Sequence, residues 1–92
     1  MVYKIKFTPS AAKDYHSIQP VTRILRTYLR PKIANALEEI ALKPHRAGSP
    51  LKANLSGYYS YRISNYRIVY EIREKEKVVL ILRIRHRRDV YR

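Results

Sequence analysis

Arginines set among tyrosines and branched aliphatics are the chemical signature of this 92-residue chain. They fall at Arg62, Arg67, Arg83 and Arg85, and again at Arg87, Arg88 and Arg92. A guanidinium is planar, permanently charged, and carries a fork of donors that matches two phosphate oxygens at once. Several of them converging at one end of a sheet would grip a phosphodiester. His86 adds a group whose ordinary pKa suits proton transfer, and Tyr91 adds a ring that can stack on a base. The chemistry implied is recognition of a polyanion, with Arg83 and the tail arginine Arg88 widening the surface.

Overall charge points the same way. Twenty Lys and Arg face seven Asp and Glu, a formal net charge of +13. Such a field favours nucleic acid, an acidic protein or an anionic membrane surface. The absence of cysteine excludes disulfides and thiolate metal sites. His16, His45 and His86 lack ligand spacing, so no metal is expected. Two glycines, Gly48 and Gly57, are too few for a glycine-rich phosphate loop, and no cofactor is expected. No apolar run approaches roughly 18 residues, so no membrane span is expected and the cytoplasm is the default compartment. The amphipathic stretch from Ser17 to Arg30 reads better as a core-facing helix than as a membrane contact.

Elements that position these residues follow from hydrophobic period. Residues 2–7 alternate, with Tyr3, Ile5 and Phe7 on one side, which predicts a half-buried strand. Thr8 suits a helix N-cap and Pro9 the first helical position. Apolar residues from Ala11 to Leu29 keep helical spacing, although Pro20 demands a kink or a division into two helices. Arg30-Pro31 predicts the start of a second helix carrying Ile33, Ala36, Leu37, Ile40 and Ala41. Pro44, Gly48 and Pro50 end it, and residues 45–54 read as the longest loop. Three strands follow, with Ser64-Asn65 as a two-residue turn between the first two.

The predicted fold is α+β, in one domain spanning residues 1–92. A four-stranded, mainly antiparallel sheet carries two N-terminal helices on one face, in the order β-α-α-β-β-β. Alternation puts Tyr59, Tyr61, Ile63, Tyr66, Ile68, Tyr70, Ile72, Leu80, Leu82 and Ile84 toward the helices. The open face then collects Arg62, Arg67, Arg83 and Arg85 over Val69, Val79 and Ile81.

Leu51-Lys52, Leu55-Ser56-Gly57-Tyr58-Tyr59, Tyr61-Arg62-Ile63, Tyr66-Arg67-Ile68-Val69-Tyr70-Glu71-Ile72 and His86-Arg87-Arg88-Asp89-Val90-Tyr91-Arg92 together resemble the RelE/ParE toxin superfamily. The likeness covers nearly the whole chain, with a first helical region about nine residues longer than usual. It implies a toxin of a toxin–antitoxin pair whose RelE branch cuts messenger RNA on the ribosome, without metal. In that chemistry a ribose 2′-hydroxyl attacks the adjacent phosphate. By position, the resemblance gives Arg62, Arg67 and Arg85 the scissile phosphate and Tyr91 a base or a proton. His86 and Arg87 fall where other branches keep catalytic groups, and either Arg85 or Arg87 is the family's counterpart arginine. Lys52, Ser60, Arg83 and Arg88 border the same RNA-binding surface. The implied partners are a cognate antitoxin, the ribosome and its message. The resemblance implies lysines as general base in some members and a glutamate in others; Ser60 and Arg62 stand at the lysine positions, and no acidic residue is evident in the glutamate's role. Two further readings compete: a ParE-like inhibitor that binds DNA gyrase, and an RNA binder without catalysis.

Overall fold

The computed structural model describes residues 2–18 and 23–86. The chain forms β1 (Lys4–Phe7), α1 (Pro9–Ser17), α2 (Arg23–Leu42), α3 (Pro44–Ala47) and β2 (Ser49–Pro50). A 3₁₀ turn over Ala53–Leu55 leads into β3 (Tyr58–Ile63), β4 (Tyr66–Arg73) and β5 (Val78–His86). The strands make one sheet in the order β1-β5-β4-β3-β2. Only β1 lies parallel to its neighbour, and the other pairings are antiparallel. The α+β class holds, with five strands instead of four. The extra one is the two-residue β2, part of a segment that the sequence assigned to a loop and that also holds α3 and the 3₁₀ turn. Among the described residues no helix is long and apolar enough to cross a membrane.

The start of α1 follows its capping signal. Thr8 is extended, its hydroxyl accepts from the Ala11 N–H at 3.0 Å, and Pro9 opens the helix. The expected division into two helices is present, but the second helix starts earlier than predicted. α1 ends at Ser17 and α2 starts at Arg23, while Pro20 lies outside the described residues. Pro31 starts no helix and sits inside α2. It has no N–H to give, which costs about 3 kcal/mol in a helix interior. Leu29, Ile33, Ala36 and Ile40 run past it on one buried stripe, and burying each of the leucine and two isoleucines contributes about 1.5–3 kcal/mol. The stripe outweighs the proline.

That stripe, with Ala11 and Ile18, packs on Ile63, Ile68, Tyr70, Val79, Ile81 and Ile84. Both helices therefore cover one face of the sheet. On β3 and β4 the inward residues are those that alternation picked. On β5 the assignment is reversed for half the strand: Val79 and Ile81 are fully buried in the core. Register gives the reason. Val69 pairs with Arg83 and Tyr70 with Ile81, so Leu82 is an extra residue and a bulge shifts the alternation. Leu80 consequently shares the open face with Glu71, its direct partner.

α1 accommodates the bulge. β1 pairs with β5 only up to Ile81, which leaves the later backbone groups on that edge without a strand. Thr8 fills part of the gap, its N–H bonding Ile81 O at 3.0 Å and its hydroxyl Leu82 O at 3.1 Å. Asp14 fills the rest, accepting from the Ile84 N–H at 3.0 Å.

At the opposite end, a polar cluster ties the β4–β5 turn to the rest of the fold. Glu74 accepts from Tyr3 at 2.7 Å and Lys77 at 2.9 Å, and its carboxylate lies 2.5 Å from His45 Nε2. These contacts, that to His45 first, hold its pKa down to about 2 from an ordinary 4.5. A depressed carboxylate adds stability that is complete above 4.5 and vanishes as pH falls through 2. Acid melts of wild type and Glu74→Gln should therefore converge between pH 4.5 and 2, with wild type the more stable above that window. The residues are about half exposed, so the gap is modest and shrinks with salt. Parallel melting curves across the whole window would contradict this.

Candidate active site

The tight Ser64-Asn65 turn sets the geometry of the open face. Ser64 takes a left-handed φ of 51°, and Ile63 pairs with Tyr66 across the turn. Arg62 then lies directly opposite Arg67, and Arg67 directly opposite Arg85 on the next strand. Three arginines thus stand in a row across β3, β4 and β5. Directly opposed residues share a face, here the one that the helices leave open. Like charges directly opposed destabilise a sheet. Phosphate binding is a use to which such a row is suited.

Beside the row lies a cleft of about 540 Å³, lined by Glu39, Gly48, Ser60, Tyr61, Arg62 and Arg67 among others. It opens where β2 stops, because Ser49 and Pro50 cover β3 only at Tyr59 and Ser60. Beyond that point the β3 edge is open to α2, and Glu39 meets it. The Tyr61 hydroxyl donates to Glu39 Oε2, and this bond, followed by burial, raises the tyrosine's pKa.

The wall of the cleft is anchored from below by Tyr70. Its buried hydroxyl donates to Pro44 O at 2.6 Å and accepts from the Gly48 N–H at 2.9 Å. Burial pushes its pKa up to about 12, so the phenol stays protonated and acts as a strut. Gly48 has no alternative here. A Cβ on it would lie 2.6 Å from the Tyr70 hydroxyl and 2.8 Å from Ser60 O.

The predicted site residues separate into groups. Arg62, Arg67 and Ser60 line the cleft, and Arg85 extends the row from β5. Lys52 is exposed next to the cleft-lining Leu51. Arg83 is engaged elsewhere. Its Nε and Nη2 donate to both oxygens of Asp14 at 2.8 and 3.0 Å, so its fork holds α1 onto β5. His86 falls in the row of Ile63 and Tyr66, on the helix side, with its ring edge-on to Tyr66 at 5.2 Å. It faces away from the arginine row. Arg87, Arg88 and Tyr91 lie outside the described residues. Among the described residues no three His, Asp or Glu side chains gather as metal ligands.

Glu39 is what reading the sequence missed. A faint signal existed: Glu39 is three residues from Ala36 and flanks the buried stripe, whereas Glu38 projects to the far side. Nothing in the sequence placed that flank beside β3.

Comparison with known proteins now adds identity to geometry. The family model described as the ParE toxin of the type II toxin–antitoxin system parDE matches residues 5–91. Toxin RelG of Mycobacterium tuberculosis is 37% identical over 92 residues, covering all of this chain and 99% of the relative. Toxin YoeB of Synechocystis is 35% identical over 89 residues, covering 92% of this chain and 99% of the relative. A chain of the RelBE2 toxin–antitoxin complex from M. tuberculosis superposes with a TM-score of 0.76 at 34% identity. That match covers 95% of this chain and all of the other. With the model spanning nearly its full length and full-length relatives all bearing toxin names, this chain belongs to the ParE toxin family of type II toxin–antitoxin systems.

Proposed function

We propose that this toxin is an endoribonuclease that cuts messenger RNA on the ribosome and so stops translation. The observation that carries the reading is the row Arg62–Arg67–Arg85, three like charges in register on the open face of the sheet. In the reaction, the 2′-hydroxyl attacks the neighbouring phosphorus and negative charge builds on the non-bridging oxygens. Guanidinium forks carried on three neighbouring strands would meet that charge as it develops and stabilise it. The cleft supplies room beside the row for the ribose or the base. Relatives named RelE and YoeB support this branch.

A cognate antitoxin is the proposed protein partner, since the RelBE2 relative is a toxin–antitoxin complex. An acidic segment of that partner would cover the arginine row and silence the toxin in the cytoplasm.

The test is purified protein added to a translating extract, with message ends mapped by primer extension. Codon-linked cleavage is expected, together with an unchanged rate of gyrase supercoiling in a parallel assay. Intact message with inhibited supercoiling would transfer the protein to the gyrase-binding reading that the family name ParE admits.

A further inference from the structure

The arginine row can bind and stabilise, but a guanidinium is a poor base because its pKa exceeds 12. The sequence offered His86 for that work, but His86 does not line the cleft beside Arg62 and Arg67. Among the other described carboxylates, Asp14 pairs with Arg83, Glu71 with Arg73, and Glu74 with His45, Tyr3 and Lys77, while Glu38 and Glu76 do not line the cleft. Glu39 lines the same cleft as Arg62 and Arg67. It comes from α2 and is exposed at the surface of the cleft. Tyr61 engages Oε2, and a carboxylate has a second oxygen to offer.

We propose that Glu39 is the proton acceptor of this site, held in place by the Tyr61 hydroxyl, and that it activates the ribose 2′-hydroxyl of RNA lying across Arg62 and Arg67. The inference rests on the ribonuclease reading above. The 2′-O–H bond breaks and its proton passes to Glu39 as the 2′-oxygen bonds phosphorus. The P–O5′ bond then breaks with its electron pair, and the departing 5′-oxygen takes a proton from water. The products are a 2′,3′-cyclic phosphate and a free 5′-hydroxyl, while Glu39 returns its proton to solvent. Tyr61 is a positioning residue: its bond to Oε2 fixes the carboxylate against the β3 edge.

The experiment measures single-turnover cleavage of a ribosome-bound message by wild type, Glu39→Gln, Tyr61→Phe and Glu38→Gln. Binding is measured separately on the same message with a 2′-deoxy cleavage site. Glu39→Gln should lower the cleavage rate by about 10²–10⁴-fold, the usual contribution of a general base, with binding of the deoxy message unchanged. Tyr61→Phe should lower the maximal rate by a smaller factor and leave KM alone, and Glu38→Gln should match wild type. Glu39→Ala should regain part of its rate with added formate, a response that a merely structural carboxylate would not give. Wild-type cleavage with an unimpaired Glu39→Gln overturns the proposal alone. Absence of wild-type cleavage overturns the ribonuclease reading and the proposal with it.

Discussion

Replacing Arg67 by alanine is expected to lower message cleavage by about 10²–10³-fold, the loss typical of removing one preorganised donor from a charged transition state. Arg67 is the centre of the row, with Arg62 opposite on β3 and Arg85 opposite on β5. Opposed Cα atoms in an antiparallel sheet are about 4.5–5.5 Å apart, so one phosphate can touch all three forks. Without the central one, the outer pair is left two strand spacings apart, about 9–10 Å, with no fork between them. Arg67→Lys keeps the charge without the fork, and recovers only part of the loss. Arg73→Ala on the same strand is the control, because Arg73 pairs with Glu71 at 2.9 Å beyond the cleft. Circular dichroism should show the folded sheet in every variant. A rate for Arg67→Ala within about threefold of wild type would remove the row from the chemistry.

Tyr70→Phe should destabilise the protein by about 2 kcal/mol, within the range for leaving buried polar groups unsatisfied. For a chain of this size that is a fall of roughly 10 °C in melting temperature. The hydroxyl serves two backbone groups at once, Pro44 O and the Gly48 N–H, and the ring is fully buried. Phenylalanine fills the same volume, so the loss reports the hydroxyl alone. The affected segment joins α3 to β2 and forms a wall of the cleft. RNA affinity should therefore weaken along with stability, even though Tyr70 lies beneath the binding face. A melting temperature within about 2 °C of wild type would show that water replaces the hydroxyl without cost.

These two residues mark what can be read along the chain and what cannot. Arg67 and its face were legible because β3 and β4 alternate cleanly, and a short turn pins their register. β5 was not legible. Its run Val78-Val79-Leu80-Ile81-Leu82 is apolar at every position and hides the period, so nothing local announces a bulge at Leu82. The partners that satisfy the bulged edge, Thr8 and Asp14, are remote in sequence.

The same remoteness explains the other differences. Pro31 reads locally as a helix start, and only the buried stripe on both sides of it shows why α2 continues. Arg83 looked like its neighbours until Asp14, 69 residues earlier, took its fork. Tyr70 is one inward tyrosine among several by alternation, and its role depends on two backbone atoms of another element.

By itself the sequence determined the α+β class, the capped first helix, the core stripe, the basic field and the strand positions of Arg62, Arg67 and Arg85. All of these depend on local periods, caps and composition, which act between near neighbours. Tertiary structure alone decided which arginines share a row, which is spent on an ion pair, which way His86 faces and that Glu39 meets Tyr61. Each of those is a contact between elements far apart in the chain, set by how helices and strands pack. The face of these arginines could be read from alternation, and Glu39 beside them became visible only when α2 was laid against β3.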